Sequence, residues 1–267
     1  MSADLAYDCD RGALAPALAA CFAPLAPDAA ARAFVAGARS SPHGRLATFA
    51  FDLLRRLLSD YDAYGLLGMY PMHLLSTAQF AELLREPLAA GRPRRLLDAG
   101  AGEGAVTAQA AALFDAVTVT EASRVLRRKL RARGFEVRGV DLGRTPLPAA
   151  HRFEAVLCLN VLDRCAYPRT LLAHLRQALA PEGRLLLSVP LPLRPHVQVG
   201  GRTADPEEPL PAAQPSWEAG ASSLAEQVLG PAGLAIERLC RAPYLSHGDA
   251  RAPLYVLDAA VFVCRAR

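Results

Sequence analysis

The amino-acid sequence predicts an α/β fold built on a Rossmann-like, mostly parallel sheet, and three observations support this prediction. From Arg94 onward, short apolar runs alternate with segments of helical periodicity, as in successive βαβ units. A glycine-rich turn over 100–104 stands between the first of these runs and the first helix. The 267 residues are 52% hydrophobic with a net charge of +4, which excludes a wholly disordered chain.

The N-terminal part of the chain is predicted to be helical. Residues 1–45 are rich in Ala and Pro, and we expect short helices or a partly ordered extension there. Apolar residues at helical spacing predict one helix over 46–64. Gly65 and Gly68 are expected to break this helix, because glycine is a weak helix former.

The remaining elements follow in order along the chain. A capped helix is predicted to begin at Ser76, with Gln79 as the capping partner, and a linker follows over 87–93. The short apolar runs predict strands over 95–99, 116–120, 135–140, 154–160, 183–189, 235–241 and 255–264. The predicted helices between them are 105–114, 123–133, 168–180 and 222–230. The proline-rich stretch 190–216 is predicted to be an insertion.

Composition also limits the compartment and the kind of site. No run of about 18 apolar residues predicts a membrane-spanning helix, and the N-terminus lacks the basic start and apolar run of a secretory signal. The six cysteines are scattered, with no Cys-x-x-Cys pair and no Cys/His spacing typical of zinc, so we expect reduced thiols and no metal. An intracellular, reducing compartment, cytoplasmic by default, is therefore predicted.

The glycine-rich turn fits two kinds of cofactor. Gly100, Gly102 and Ala105 satisfy the dinucleotide pattern G-x-G-x-x-G/A. Asp98 with Gly100, Gly102 and Gly104 satisfies the D/E-x-G-x-G-x-G pattern of an S-adenosylmethionine site. A carboxylate at Asp98 repels a pyrophosphate and attracts the amino group of a methionine moiety. The sequence therefore favours S-adenosylmethionine.

Two acids at the ends of the following strands complete this prediction. Glu121, 23 residues after Asp98, can accept hydrogen bonds from both ribose hydroxyls, a role that serves either cofactor. Asp141 ends the third strand and can meet the adenine amino group. A solvated strand-end acid is the alternative interpretation of Asp141.

A second motif carries a resemblance to a known family. The stretch Cys158–Cys165, Cys-Leu-Asn-Val-Leu-Asp-Arg-Cys, resembles the signature of the DREV methyltransferases. The resemblance extends from Leu57 to Val263. Further matching blocks are Leu96–Gly104, Trp217–Glu218, Pro243–Leu245 with Gly248–Asp249, Tyr255–Asp258 and Ala260–Val263.

The resemblance implies both a fold and an activity. It implies a class I S-adenosylmethionine-dependent methyltransferase with a seven-stranded, mostly parallel sheet. The expected organisation is a helical extension over 1–92 packed on a methyltransferase domain over 93–267. From the animal member it implies methylation of the pros nitrogen (Nδ1) of histidine in His-x-His motifs of protein substrates, with S-adenosylhomocysteine as the product.

Imidazole chemistry suggests roles for the residues of the second motif. Only the lone-pair nitrogen of neutral imidazole can attack a methyl group, so Asp163 is expected to accept the Nε2–H and leave Nδ1 free. Asn160 is expected to hold the amino-acid end of the cofactor or the substrate ring. The resemblance implies that Tyr244 and Tyr255 line the substrate pocket. The alternatives are a helix N-cap for Asp163 and a core strand residue for Tyr255.

Other functions are weighed against this one. The basic segment over 124–133 suggests nucleic-acid binding, but acids flank it and no aromatic residues interleave, so a solvated helix face and no nucleic-acid partner are expected. A methyltransferase for a small molecule or RNA and a non-catalytic cofactor-binding module remain alternatives. A nicotinamide oxidoreductase is disfavoured because the single lysine, Lys129, offers no Tyr-x-x-x-Lys pair. We expect a monomer that binds protein or peptide substrates.

Overall fold

The computed structural model describes residues 5–40, 43–85, 94–199 and 202–267. The helices are α1 (Pro16–Cys21), α2 (Ala29–Ser40), α3 (Arg45–Leu54), α4 (Asp60–Leu67), α5 (Thr77–Leu83), α6 (Ala105–Ala111), α7 (Arg124–Ala132), α8 (Pro168–Ala178) and α9 (Trp217–Leu224). The strands are β1 (Met72–His73), β2 (Arg95–Ala99), β3 (Ala116–Thr120), β4 (Glu136–Arg138), β5 (Phe153–Leu159), β6 (Leu179–Leu191), β7 (Val197–Val199), β8 (Arg202–Ala204), β9 (Leu234–His247) and β10 (Leu254–Ala266).

One eight-stranded sheet organises the molecule, in the order β1-β9-β10-β6-β5-β2-β3-β4. Strands β4, β3, β2, β5 and β6 are parallel. Strand β10 is antiparallel to both of its neighbours, β6 and β9. This order confirms the predicted class I methyltransferase architecture of seven mostly parallel strands, and β1 adds an eighth strand next to β9. Strands β7 and β8 form a separate hairpin.

Hydrophobic residues cover both faces of the sheet, and the N-terminal segment contributes to both cores. The hydrophobic core on one face includes Phe262 of β10, Leu172 of α8 and Phe22. The core on the other face includes Val261 of β10, Phe80 of α5 and Leu25. Because successive strand residues point to opposite faces, neighbouring residues of β10 serve different cores.

The helix predicted over 46–64 is two helices, α3 and α4, so this prediction was wrong. Ser59 caps the start of α4, where its side chain accepts a hydrogen bond from the chain three residues on. Helix α4 continues through Gly65 to Leu67 and is capped by Gly68, which has the left-handed φ of 64°. A Cβ at Gly65 would lie 2.8 Å from the Leu126 side chain. Gly65 therefore allows close packing of α4 on α7 and does not break the helix.

Most predicted strands are confirmed, with differences at their ends. Strands β2 and β3 have the predicted bounds, while β6 and β9 are longer than predicted. Helix α9 begins at Trp217 rather than at 222 because the Ser216 side chain caps it, accepting from the Ala219 N–H at 3.1 Å. The predicted insertion 190–216 contains the β7–β8 hairpin. The predicted linker 87–93, and with it the boundary between 92 and 93, lies outside the described residues.

At the carboxyl ends of the parallel strands, β6 extends beyond β5, and β10 extends beyond β6. The last residue of β5, Leu159, pairs with Ser188 of β6, and β6 continues to Leu191. Leu191 pairs with Asp258 of β10. The four residues Leu254–Leu257 therefore extend beyond β6 and pair with β9 alone among the described strands.

The helices can also be compared with the thickness of a bilayer. None of those in the described part of the chain combines the length and the apolar character needed to cross a membrane.

Candidate active site

A cavity of about 1080 Å³ opens at the carboxyl ends of the parallel strands. Ligands of open α/β sheets bind at this edge, where the strand order reverses, here between β2 and β5. The glycine-rich turn after β2 and the residues that follow β3, β4 and β5 line its inner side. Helix α4 and the β7–β8 hairpin line its outer side.

The glycine-rich turn uses its glycines for two different purposes. Gly100, Gly102 and Gly104 all have positive φ angles, of 72°, 58° and 78°. A Cβ at Gly104 would lie 2.7 Å from the Leu130 side chain, so this glycine permits α6 to pack against α7. A Cβ at Gly102 would meet nothing closer than the Tyr64 hydroxyl, 4.0 Å away. Gly102 therefore keeps the cavity open, as a bound cofactor requires.

Asp98, at the end of β2, is a buried acid on the cavity wall. Its side chain is 3% exposed, and the Thr107 hydroxyl donates a hydrogen bond to Oδ2 at 2.6 Å. Burial raises the pKa of Asp98 to about 6, the charge of Glu121 acts in the same direction, and the Thr107 hydrogen bond opposes them. The carboxylate is thus an unneutralised acceptor for a cationic group in the cavity.

Glu121 joins the glycine-rich turn to the start of α7. Its Oε2 accepts the Gly102 N–H at 3.0 Å and its Oε1 accepts the Ser123 N–H at 2.8 Å. Burial raises the pKa of Glu121, and the backbone hydrogen bonds oppose this. Each oxygen keeps a second lone pair, so the predicted ribose role is compatible with these contacts.

Asp141 lies at the rim of the same cavity. Its side chain is 48% exposed, its Oδ1 accepts the Gly143 N–H at 2.9 Å, and Arg144 Nε lies 3.5 Å from Oδ2. Both the adenine role and the solvated role predicted for Asp141 fit this position.

Asn160 and Tyr244 meet on another wall of the cavity. Asn160 follows β5 with an unusual φ of 57°, and its N–H donates to the Ser188 carbonyl at 2.9 Å. The Ser188 hydroxyl donates to Asn160 Oδ1 at 2.9 Å and so fixes the orientation of the amide. The Tyr244 hydroxyl donates to Met72 Sδ. Burial raises the pKa of Tyr244 to about 12, while a hydrogen bond with Asn160 opposes this shift.

Asp163 is enclosed next to this wall rather than exposed on it. It is 1% exposed, while Val161 and Arg164 on either side line the cavity. Oδ2 lies 3.2 Å from Arg164 Nε, and Oδ1 has no hydrogen-bond partner among the described residues. Burial raises the pKa of Asp163, and the Arg164 charge opposes this. A buried acceptor without a partner is costly, which sets this oxygen apart from the other acids of the site.

Tyr255 lies outside the set of residues that line the cavity. Its ring is 38% exposed, and its hydroxyl donates to Asp249 Oδ1 at 3.2 Å. Tyr70 donates to the other oxygen of Asp249 at 2.9 Å. The structure therefore gathers around the cavity the predicted residues Asp98, Gly100, Gly102, Glu121, Asp141, Asn160 and Tyr244. Gly104 lies behind them as the cap of α6.

Helix α4 supplies site residues that the sequence analysis missed. Tyr61, Asp62 and Tyr64 line the cavity. Asp62 accepts hydrogen bonds from the hydroxyls of Ser123, at 2.5 Å, and Ser59, at 2.9 Å, and so ties α4 to the start of α7. The available signal was the pair of tyrosines at i, i+3 spacing, which places both rings on one side of a helix.

The β7–β8 hairpin is attached on both sides of the cavity. Gln198 Nε2 donates to Asp60 Oδ2 of α4 at 3.1 Å. Beyond the hairpin, Glu208 accepts the N–H groups of Arg169 and Thr170 at 2.7 and 2.9 Å, at the start of α8. A carboxylate is favourable at a helix N-terminus. The described residues of the insertion thus form part of the cavity wall and contact α4 and α8.

The basic face of α7 contributes some of its side chains to this region. Lys129 Nζ lies 3.7 Å from Glu103 in the glycine-rich turn. Arg127 Nη1 donates to the carbonyl of Glu121 at 3.3 Å. The other basic residues, Arg124, Arg128, Arg131 and Arg133, are exposed. This arrangement matches the predicted solvated helix face.

The chain is similar to known methyltransferases in sequence and in structure. A sequence model described as DREV methyltransferase matches residues 6–266. Similar solved structures include the N-methyltransferase NodS from Bradyrhizobium japonicum WM9 in complex with S-adenosylhomocysteine, at 17% identity and a TM-score of 0.44 over 71% of this chain and 86% of that one. A second is a putative methyltransferase from Bacillus halodurans C-125, at 15% identity and a TM-score of 0.48 over 70% of this chain and 98% of that one. The magnesium protoporphyrin IX methyltransferase from Synechocystis PCC 6803 with bound S-adenosylmethionine is similar at 17% identity and a TM-score of 0.42, over 71% and 79% of the two chains.

Proposed function

The chain belongs to the DREV methyltransferase family, and we propose that it is an S-adenosylmethionine-dependent protein-histidine methyltransferase. It transfers a methyl group to the pros nitrogen (Nδ1) of histidine in His-x-His motifs of protein substrates. The methyltransferase activity is supported by the family membership. The unpartnered carboxylate oxygen of Asp163, enclosed beside the cavity, supports the histidine specificity.

The residues present fit S-adenosylmethionine. The buried carboxylate of Asp98 suits the positively charged amino group of the methionine moiety. Glu121 offers the second lone pairs of its oxygens to the ribose hydroxyls, and Asp141 at the rim suits the adenine amino group. The open space beside Gly102 lets the backbone approach the ligand closely. When bound, the cofactor supplies an electrophilic methyl group.

The unpartnered Oδ1 of Asp163 is the observation that favours histidine as the acceptor. A carboxylate that accepts the Nε2–H of an imidazole fixes the tautomer whose lone pair is on Nδ1. The same carboxylate stabilises the positive charge that develops on the ring, and in a dry site such a contribution is about 10²–10³ in rate. Arg164 lines the cavity beside Asp163, and we expect the substrate to displace its side chain.

Asn160 and Tyr244 position the imidazole in this proposal. Ser188 binds Asn160 Oδ1 and Tyr244 engages one N–H of the amide, so the second amide N–H of Asn160 is left to donate toward a ligand. Tyr244 presents a flat ring on the cavity wall. A strong base is unnecessary because imidazole is already largely neutral near pH 7. Alignment of the two reactants then supplies most of the rate enhancement.

The test is a transfer assay with labelled S-adenosylmethionine and a peptide panel. The panel holds His-Ala-His, Ala-Ala-His and His-Ala-Ala peptides with unrelated Lys, Arg and Gln peptides, and mass spectrometry locates the methyl group. We expect transfer to Nδ1 of the His-Ala-His peptide alone. With Asp163→Asn, kcat should fall by about 10²–10³ while the cofactor Kd, measured by calorimetry, stays unchanged.

Two outcomes would contradict the proposal. Cofactor binding without transfer to any peptide would shift the function to a small-molecule or RNA substrate, or to a non-catalytic module. A loss of cofactor affinity in Asp163→Asn would show that Asp163 serves the cofactor rather than the substrate.

A further inference from the structure

Strand β10 has an edge that no other described strand covers. β6 pairs with β10 as far as Leu191, which lies opposite Asp258. β6 ends there, and from Pro192 onward the chain no longer pairs with β10. Residues Leu254–Leu257 pair with Tyr244–His247 of β9 on one side. On the other side, their backbone groups form no hydrogen bond within the described ranges.

This edge is accessible and apolar. Tyr255, Val256 and Leu257 are 38%, 40% and 45% exposed. Proteins usually protect such an edge with charged residues, proline or a covering loop, because it is a template for another strand. A row of alternating N–H and C=O groups is satisfied by one kind of ligand, an extended polypeptide.

The free edge begins at the wall of the cavity. Leu257 pairs with Tyr244, and Ala259 pairs with Pro190. Both Tyr244 and Pro190 line the cavity. A strand placed in line with β6 beyond Leu191 would therefore run from the cavity wall along the exposed edge of β10.

We propose that the protein substrate binds as an extended strand along the edge Leu254–Leu257. It takes the position next to β10 that β6 occupies only as far as Leu191. This inference rests on the proposed function, since it concerns the substrate of that reaction. The main chain of the substrate provides affinity through hydrogen bonds to β10. Its side chains provide specificity on the two faces of the extended sheet.

Strand geometry then accounts for a motif with two histidines separated by one residue. Residues i and i+2 of a strand point to the same face, about 6.6–6.8 Å apart. Directly paired residues share a face, so Tyr244, Leu257 and Tyr255 lie on one side of the sheet. One imidazole lies beside Leu257 at the cavity wall, on the same face as Tyr244, while the other lies beside Tyr255. The middle residue points to the opposite face, which is that of Val256.

Backbone methylation of the substrate tests this mode without altering the enzyme. The probe is a nine-residue peptide with a central His-Ala-His, in which each of the five central amide nitrogens is methylated in turn. Alternate N–H groups of a bound strand face β10, and those between them face away. We expect one alternate set to raise KM about tenfold or more and the other set to change it less than about twofold.

The alternate set is the matched control, because both sets carry the same modification. A uniform effect, or no effect at any position, would overturn the strand mode while unmodified His-Ala-His is still methylated. If the unmodified peptide is not methylated, the proposed function fails. The strand mode is then decided by fluorescence anisotropy of the labelled peptides with S-adenosylhomocysteine present, where absence of alternation overturns it.

A second copy of the chain is the other occupant that could use this edge. Light scattering over a range of protein concentrations separates the two cases. A monomer that binds the peptide with the alternating pattern supports the proposal. A dimer that the peptide neither enters nor dissociates would overturn it.

Discussion

At the scale of single residues, Asp98 has the clearest dependence on pH. Burial raises its pKa to about 6 from 3.8, so Asp98 stays protonated to a higher pH in the folded protein than in the unfolded chain. The contribution of Asp98 to stability is therefore present at low pH and declines as pH rises from about 3.8 to about 6. A bound ammonium group reverses this preference, because it stabilises the carboxylate.

Cofactor affinity should consequently increase between pH 5 and pH 7, with release of protons on binding near pH 6. Calorimetry in two buffers of different ionisation enthalpy measures the number of protons released. Asp98→Asn removes the titrating group, so this variant should bind more weakly and lose the pH dependence. An unchanged pH profile in Asp98→Asn would assign the dependence to another group.

Some site residues could be identified from the sequence and others could not. Asp98, Glu121 and Asn160 were predictable because each lies at the end of a strand or directly after it, and the ends of parallel strands meet at one edge of a sheet. The enclosure of Asp163 depends on packing around a short 3₁₀ turn, which no local pattern indicates. The contact of Tyr255 with Asp249 depends on a turn between two strands and on Tyr70, which is distant in sequence.

At the scale of elements, the glycine-rich turn allows a paired prediction. Gly102→Ala places a methyl group in the open cavity, at a cost in stability of about 1–2 kcal/mol for the left-handed backbone. Gly104→Ala carries the same backbone cost and a clash with Leu130, which adds about 1–3 kcal/mol.

Thermal unfolding and cofactor titration separate the two variants. Gly102→Ala should lose about tenfold or more in cofactor affinity, because the backbone can no longer approach the ligand closely, and should show the smaller fall in Tm. Gly104→Ala should show the larger fall in Tm. Equal falls in Tm would mean that the space beside Gly102 is not available in solution.

The elements also show which sequence patterns were sufficient. Apolar runs between turn residues predicted the parallel strands, because each run reflects burial on both faces. The division between α3 and α4 escaped prediction, because the pattern included Leu57, which is 86% exposed. Periodicity counts apolar residues whether or not they are buried.

At the scale of the whole molecule, the N-terminal segment is part of the core. Phe22 is 4% exposed and packs edge-to-face on Trp217 with ring centroids 6.2 Å apart. The adjoining Ala23 N–H donates to the carbonyl of Leu239 at 2.9 Å. Phe22→Ala should therefore destabilise the entire protein by about 3–5 kcal/mol, in a single urea transition.

Phe49→Ala is the control, because Phe49 is 69% exposed and its loss should change stability by less than about 0.5 kcal/mol. Two separate transitions in Phe22→Ala would mean that the N-terminal segment unfolds independently. The sequence predicts residues 1–92 as a helical extension packed on the methyltransferase domain. It does not indicate which residues make the contacts, because Phe22 and Ala23 are distant in sequence from Trp217 and Leu239.

The hydrogen bonds to Asp249 couple this segment to the rim of the sheet. Asp249 is 2% exposed, and its two oxygens accept from Tyr70 and from Tyr255. Oδ1 also accepts the Arg251 N–H at 2.8 Å, and Oδ2 lies 3.4 Å from Arg251 Nη1. Release of either tyrosine removes one hydrogen bond from this buried carboxylate, so local opening on one side weakens the other. The amides around Tyr70 and those at the start of β10 should thus exchange with deuterium as one cooperative unit.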